Sequence, residues 1–517
     1  MSRAVVIGGG IAGLATAALL AADGHEVTLL EGRDAVGGRA GSWGRDGFRF
    51  DTGPSWYLMP EVFDHFFRLL GTTTAEQLDL VDLVPAYRVY AESHLDEAPL
   101  DVVSGREEAT ALFESIEQGA GARLDAYLDS AGEAYDLAVT RFLYDTYESL
   151  GNLTDPSLLR RLGHLTRLLT QPLQSRIDKR FADTRLRQIL GYAGVFLGGS
   201  PYQLPSLYHL MSHLDLDDRV RYPQGGFTAL IDAIARLATE RGVMIETGAS
   251  VERILVADGV ARGVVTADGR RFDAEVVVSS ADLHHTETRL VPERYRTYPE
   301  SWWQSKTPSY GALLVLLGVK GELPELAHHT LLFTEDWRTN FAAIFGDATR
   351  IPDPASLYVC RPSATDPAVA PEGHENLFVL VPIPADPGLG HGGVDGAGDV
   401  VIERAADAAI DQIAAWCGVP DLRDRVVVRR TIAPGDFESD LHAWRGNALG
   451  LAHPLLQSAL FRPRNASAKV EGLYYAGASV LPGIGLPMCL ISAELVVKRM
   501  RGDRSAGPIA EPVAEAV

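Results

Sequence analysis

The sequence predicts an α/β protein in which a unit built on a parallel sheet carries an inserted α+β domain. Three observations predict it. Residues 4–31 run strand, glycine turn, helix, strand, acid; residues 221–283 read as a helix and a strand meander; and residues 472–500 read as strand, Gly/Pro turn, helix. Long stretches separate the three blocks, so the chain is expected to cross between domains several times. The boundaries are read as 1–77, 221–283 and 452–502 for the first domain, and 78–220 with 284–451 for the second.

The first block is the most explicit. An apolar run at 4–7 leads into Gly8-Gly9-Gly10-Ile11-Ala12-Gly13, a G-x-G-x-x-G pattern opening a helix at 14–22. Gly8 permits a tight turn, Gly10 lets the backbone approach a pyrophosphate, and Gly13 allows close helix–strand packing. A helix N-terminus offers free N–H groups and partial positive charge to phosphates. A second apolar run at 27–30 ends in Glu31, about 20 residues on, where a carboxylate can accept both ribose hydroxyls of adenosine. Strand, glycines, helix, strand and acid in register point to a Rossmann-like dinucleotide site, and Glu31 disfavours a 2′-phosphate.

The next segment bears on which dinucleotide. Gly32-Arg33 leads to Gly37-Gly38-Arg39-Ala40, and then come Gly53-Pro54-Ser55-Trp56. This resembles the second glycine motif of the flavin amine oxidase and carotenoid desaturase superfamily. The resemblance implies FAD, with Gly32, Arg33, Gly37, Gly38, Arg39, Ser55 and Trp56 among its contacts.

The middle block opens at Tyr222-Pro223-Gln224-Gly225-Gly226, a turn before a helix at 228–241. A strand at 244–247 follows, then a meander whose turns are Asp258-Gly259 and Asp268-Gly269, each between Val-rich runs. In the resembling family Val251 touches adenine through its backbone; from its own pattern it is a strand residue facing the core. The last block places Gly477 before Pro482-Gly483-Ile484-Gly485-Leu486-Pro487 and a helix at 488–500, a second cradle at a helix N-terminus. The family puts Gly477 near the pyrophosphate and Leu486 to Met488 near the flavin ring.

Resemblance to the bacterial phytoene desaturases covers nearly the whole chain. It includes Gly198-Gly199-Ser200-Pro201-Tyr202, Ala327-His328-His329-Thr330 and Gln457-Ser458-Ala459-Leu460-Phe461-Arg462-Pro463. It implies FAD-dependent desaturation of a long polyene, phytoene being the expected substrate, with reoxidation by oxygen or a quinone. Where the family often has Thr-His before Pro-Gly, this chain has Val480-Leu481, which removes an ionisable group near the flavin and puts substrate preference in doubt. An acid–Arg pair proposed in the family falls near Asp155 and Arg160; by pattern these are a helix-start acid and a solvated base. Desaturation of a C30 polyene stays open, as do isomerisation, saturation, ketolation or cyclisation of another polyene, an amine oxidase and a non-catalytic isoprenoid carrier.

Composition narrows the rest. A chain of 517 residues, 46% hydrophobic, can bury a large core, and a net charge of −21 excludes nucleic acid as a partner. The three cysteines, 360, 417 and 489, form no CxxC and no Cys/His cluster in sequence, so neither a metal site nor a disulfide framework is expected. No signal peptide is read at the N-terminus, and no run of about 18 apolar residues would span a bilayer. Because a polyene is insoluble in water, the protein is expected in the cytoplasm, attached peripherally to the inner face of the membrane. The Leu- and Arg-rich segment 156–190, with Leu158, Leu162, Leu165 and Leu169 at helical spacing, is the candidate surface. Residues 503–517 read as a disordered tail.

Overall fold

The computed structural model describes residues 2–149, 163 and 165–512. Asp155, Arg160, Leu158 and Leu162 lie outside the described residues.

The first domain is organised by β1 (Arg3–Ile7), α1 (Ile11–Ala22) and β2 (Glu26–Leu30). To these the chain later adds α2 (Phe227–Glu240), β3 (Met244–Glu246), β4 (Val276–Ser279), β5 (Leu473–Tyr475) and α3 (Leu486–Arg501). The five strands form one parallel sheet in the order β5-β4-β1-β2-β3. Val5 pairs with Val277 on one side and Thr28 on the other. β1 is central, so it is apolar on both faces, as a parallel strand covered on both sides must be. α1 packs between α2 and α3, and every residue from Ile11 to Leu20 is buried. α1 begins three residues earlier than its sequence pattern suggested, because Gly13 occupies its first turn, where no side chain fits.

A three-stranded antiparallel sheet, Val251–Ala257, Val260–Thr266 and Arg271–Asp273, lies beside this unit. Asp258 and Gly259 both have positive φ (51° and 77°), the two-residue hairpin geometry that matches strand twist.

The second domain is built on a seven-stranded mixed sheet. Its longest pair, Gly311–Lys320 and His374–Ile383, runs antiparallel over ten residues each. Alternation along Gly311–Lys320 serves two cores. Leu313, Val315 and Leu317 pack in the core that includes the helix Val400–Cys417, while Ala312, Leu314 and Leu316 belong to the core on the opposite face. That opposite face looks toward the first domain.

The disordered tail expected over 503–517 is corrected for its described part. The Lys498 ammonium donates to the carbonyls of Tyr144, Ser505 and Gly507, Ile509 packs on the first domain's core, and Glu511 pairs with His65 and Arg68. A buried lysine needs its three donors satisfied, and the tail's backbone supplies two of the acceptors.

Candidate cofactor and substrate site

A cavity of about 1200 Å³ lies between the two sheets, and most of its wall is apolar. Single small-molecule pockets occupy about 300–1000 Å³, so this one has room for a dinucleotide and part of a second molecule. Gly8, Gly10, Ala12, Glu31, Gly32, Arg33, Gly37, Gly38, Arg39, Ser55, Trp56, Val251, Gly477, Leu486 and Met488 all line it. Gly13 does not. Its place is one layer behind, where a Cβ would overlap the Gly8 carbonyl oxygen and stand 2.5 Å from Ser280 Oγ.

The two glycine motifs build one floor. Gly37 donates its N–H to the Gly9 carbonyl at 2.8 Å, and a Cβ on Gly38 would stand 3.3 Å from Gly10 Cα. Nothing lies within 4 Å of where a Cβ on Gly10 would project. Bare backbone therefore faces the cavity at the N-terminus of α1, where an anion is favoured. Glu31 is buried, and its two oxygens accept the N–H groups of Gly9 (2.6 Å) and Arg33 (2.8 Å). The acid thus shapes the turn as well as offering its remaining lone pairs to the cavity. Val251 is a paired strand residue opposite Thr266 and also part of the cavity wall.

At the other end, α3 points its N-terminus into the cavity through Leu486, Pro487 and Met488. The N–H groups of a first helical turn have no intrahelical acceptor. Beside them, Arg39 Nε and Nη2 are buried with no hydrogen-bond partner. Burial holds this guanidinium below the ordinary arginine pKa, with Asp282 opposing the shift. Unpaired buried donors are costly, and an electron-rich heteroaromatic ring with carbonyl groups would satisfy them. Open glycine backbone at one end and orphaned donors at the other fit FAD.

The remaining wall is aromatic and aliphatic. Trp56 stacks on His329 with ring centres 4.4 Å apart, and Tyr358 bridges from behind, 2.7 Å from Ser55 Oγ and 2.8 Å from His329 Nδ1. His328 and His329 are buried at 5% and 0% exposure. Burial holds His328 down at about 3 and His329 well below the usual histidine range. Although the sequence shows no Cys/His cluster, the fold brings ligand atoms of His328, His329 and Cys360 within 4.8 Å of one another. Strand register accounts for this, because His329 and Cys360 are cross-strand partners.

The sequence reading missed a group around residue 453. Tyr208, His453 and Ser458 line the cavity and are hydrogen-bonded to one another, and Arg462 lies behind them. The Arg462 guanidinium donates to the carbonyls of Leu451, Gln457, Ala478 and Val480, tying 451–462 to the approach of α3, and burial pushes it down to about 10. The Gln457–Pro463 run carried the signal, but as a family resemblance without a role.

Residues 11–501 match the flavin containing amine oxidoreductase family. The chain is 42% identical to the carotenoid 3,4-desaturase of Haloarcula japonica, over 95% of this chain and 96% of that one. It is 35% identical to the zeta-carotene-forming phytoene desaturase of Myxococcus xanthus, over 96% and 93%. The chain belongs to the carotenoid desaturase family. Membership makes it an FAD-dependent oxidoreductase. Among solved structures, putrescine oxidase bound to putrescine superposes with a TM-score of 0.61 at 15% identity, covering 97% of this chain and 98% of that one. At that identity the likeness speaks for the fold alone.

Proposed function

We propose that this carotenoid desaturase removes vicinal hydrogens from a long isoprenoid polyene, phytoene, in carotenoid biosynthesis. The carrying observation is the cavity itself, whose glycine floor fits FAD and whose apolar continuation between the sheets fits a flexible hydrocarbon. Bound FAD would accept a hydride from an allylic carbon, while a proton leaves the neighbouring carbon and a C=C bond forms between them. The protein's part is to hold the chain against that end of the cavity and to exclude water there. Leu314, Phe333, Phe378 and Leu380 supply the wall from the second sheet. Arg39 and the N-terminus of α3 favour negative charge at the same end. Oxygen or a quinone is the proposed terminal acceptor.

An insoluble substrate has to come from a bilayer. Leu460 and Phe461 line the cavity yet are 44% and 50% exposed, with Leu456 beside them at 67%. Leu165 and Leu169 also line it. We place the membrane-facing entrance here, and each apolar side chain buried in lipid would contribute about 1.5–3 kcal/mol. Of the basic residues expected to serve it within 156–190, Arg167 and Lys179 are exposed, while others are engaged inside the protein. Arg176 is buried against Ser130, Arg185 pairs with Asp183 and Glu97, and Arg187 lies against Asp178. Among the described residues, no helix is long and apolar enough to cross a membrane.

The 42% likeness to a carotenoid 3,4-desaturase favours a second reading, in which the substrate is already conjugated. Purified protein with FAD, a quinone and liposomes carrying either phytoene or an acyclic conjugated carotenoid distinguishes them. Loss of two hydrogens per step from phytoene, read by mass and absorbance, supports the first reading. Turnover of the conjugated carotenoid alone supports the second, and conversion of neither sinks both.

A further inference from the structure

The turn that opens α3 is held by a side chain rather than by other backbone. Ile484 donates its N–H to His453 Nε2 at 3.3 Å. This fixes the tautomer: an Nε2 that accepts leaves Nδ1 carrying the proton, and Nδ1 stands 2.9 Å from Tyr208 Oη. Tyr208 then donates onward to Ser458 Oγ at 3.0 Å, and Ser458 donates back to the His453 carbonyl at 2.9 Å. The bonds run in one direction around a closed loop, and every donor in it is used.

The loop is packed as tightly as it is bonded. His453 is 4% exposed, and a Cβ on Gly483 would collide with its imidazole. Gly483, at φ 151°, is thus the residue that lets the turn sit on the ring. Burial and the neighbouring Arg462 charge hold the imidazole neutral, the only state in which Nε2 can accept. Tyr208, His453, Ser458 and Ile484 all reach the cavity surface, next to Leu486 and Met488 at the helix start.

We propose that His453 is a positioning residue, a neutral imidazole whose Nε2 fixes residues 482–485 and thereby aims the N-terminus of α3 at the flavin end of the cavity. Tyr208 and Ser458 serve it by keeping the proton on Nδ1. The inference rests on the FAD site, but not on which polyene is the substrate.

Amide isosteres separate the two ring nitrogens. Gln in place of His453 reaches the Nε2 position with a carbonyl and can still accept from Ile484. Asn reaches only the Nδ1 position, and Tyr208→Phe keeps the ring wall while removing the tautomer lock. The readouts are FAD affinity by titration of apo-protein, the shape of the bound flavin's visible band, and its reduction potential, none of which needs substrate. Expected are an H453N protein with FAD affinity weakened about tenfold and an altered band and potential, H453Q within about twofold of wild type, and Y208F between them. Wild-type affinity, band and potential in folded H453N and Y208F would overturn the proposal. So would H453Q as impaired as H453N at equal thermal stability. If H453N does not fold, Y208F and H453Q decide alone, because both keep the cavity filled. A product assay that fails with phytoene would bear on the substrate and leave these flavin readouts unchanged.

Discussion

Alanine at position 10 and alanine at position 13 differ by one methyl group each from wild type, yet should fail in opposite ways. At Gly10 the backbone is extended (φ −70°, ψ 173°), open to any residue, and a Cβ has nothing within 4 Å. Apo-protein stability then reflects two small effects. Stiffening the unfolded chain stabilises by about 0.4–1 kcal/mol, and losing glycine at a helix N-cap costs roughly as much, for a net near zero. The methyl projects into the cavity where backbone would meet a pyrophosphate, so FAD affinity should fall at least tenfold, about 1.4 kcal/mol. At Gly13 a Cβ stands 2.5 Å from Ser280 Oγ and closer to the Gly8 carbonyl. Relieving that overlap pushes α1 off β1, at about 1–3 kcal/mol or more. The assay is urea unfolding of both apo-proteins with FAD titration of each. G10A binding FAD like wild type would refute this placement of the cofactor, and G13A unfolding like wild type would refute the close packing of α1 on β1.

Arg39→Leu should leave apo-protein stability unchanged or raised, since it removes donors that have no partner, while weakening FAD at least tenfold by titration. Asp215 accepts hydrogen bonds from Tyr87 and Tyr192, and burial raises its pKa to about 7. Its folded value lies above its unfolded one, so the native state holds a proton that the unfolded chain has lost. Stability should therefore fall from about pH 4 to about pH 7 and then level off. Asp215→Asn should flatten that slope in urea midpoints at pH 5 and pH 8; an unchanged slope would assign it elsewhere. Arg462→Met strands at least four carbonyls and should lower stability by about 3–5 kcal/mol, seen as a lower urea midpoint. Leu460→Asp with Phe461→Asp should abolish co-sedimentation with liposomes while leaving FAD binding intact.

What was legible in the sequence was local. The glycine turns, the Asp-Gly hairpins and the strand–turn–helix at the C-terminus each declare themselves within about thirty residues. Glu31 was legible as the acid ending the second strand and lines the cavity, but its bonds to Gly9 and Arg33 depend on a turn geometry that spacing does not encode. His453 was invisible because its partners, Tyr208 and Ile484, lie 245 and 31 residues away. Composition counts charges without their partners, and of the arginines in 156–190 Arg176 is spent internally. The Cys/His cluster was missed because strand register, not sequence proximity, makes it.

The order of strands in the parallel sheet has a consequence for how the molecule is made. Its middle strand is the first to leave the ribosome, one neighbour is about 270 residues later in the chain, and the edge strand beyond it, β5, spans Leu473–Tyr475. α3, which closes the cavity, is later still. During translation, α1 can cover the Ala4 and Val6 side of β1 at once, but the Val5 and Ile7 side waits uncovered while most of the polypeptide is still being added. The cofactor has no complete socket to enter until then. A chain cut short before residue 486 should accumulate as a flavin-free, chaperone-bound species, even though it carries the whole N-terminal glycine motif.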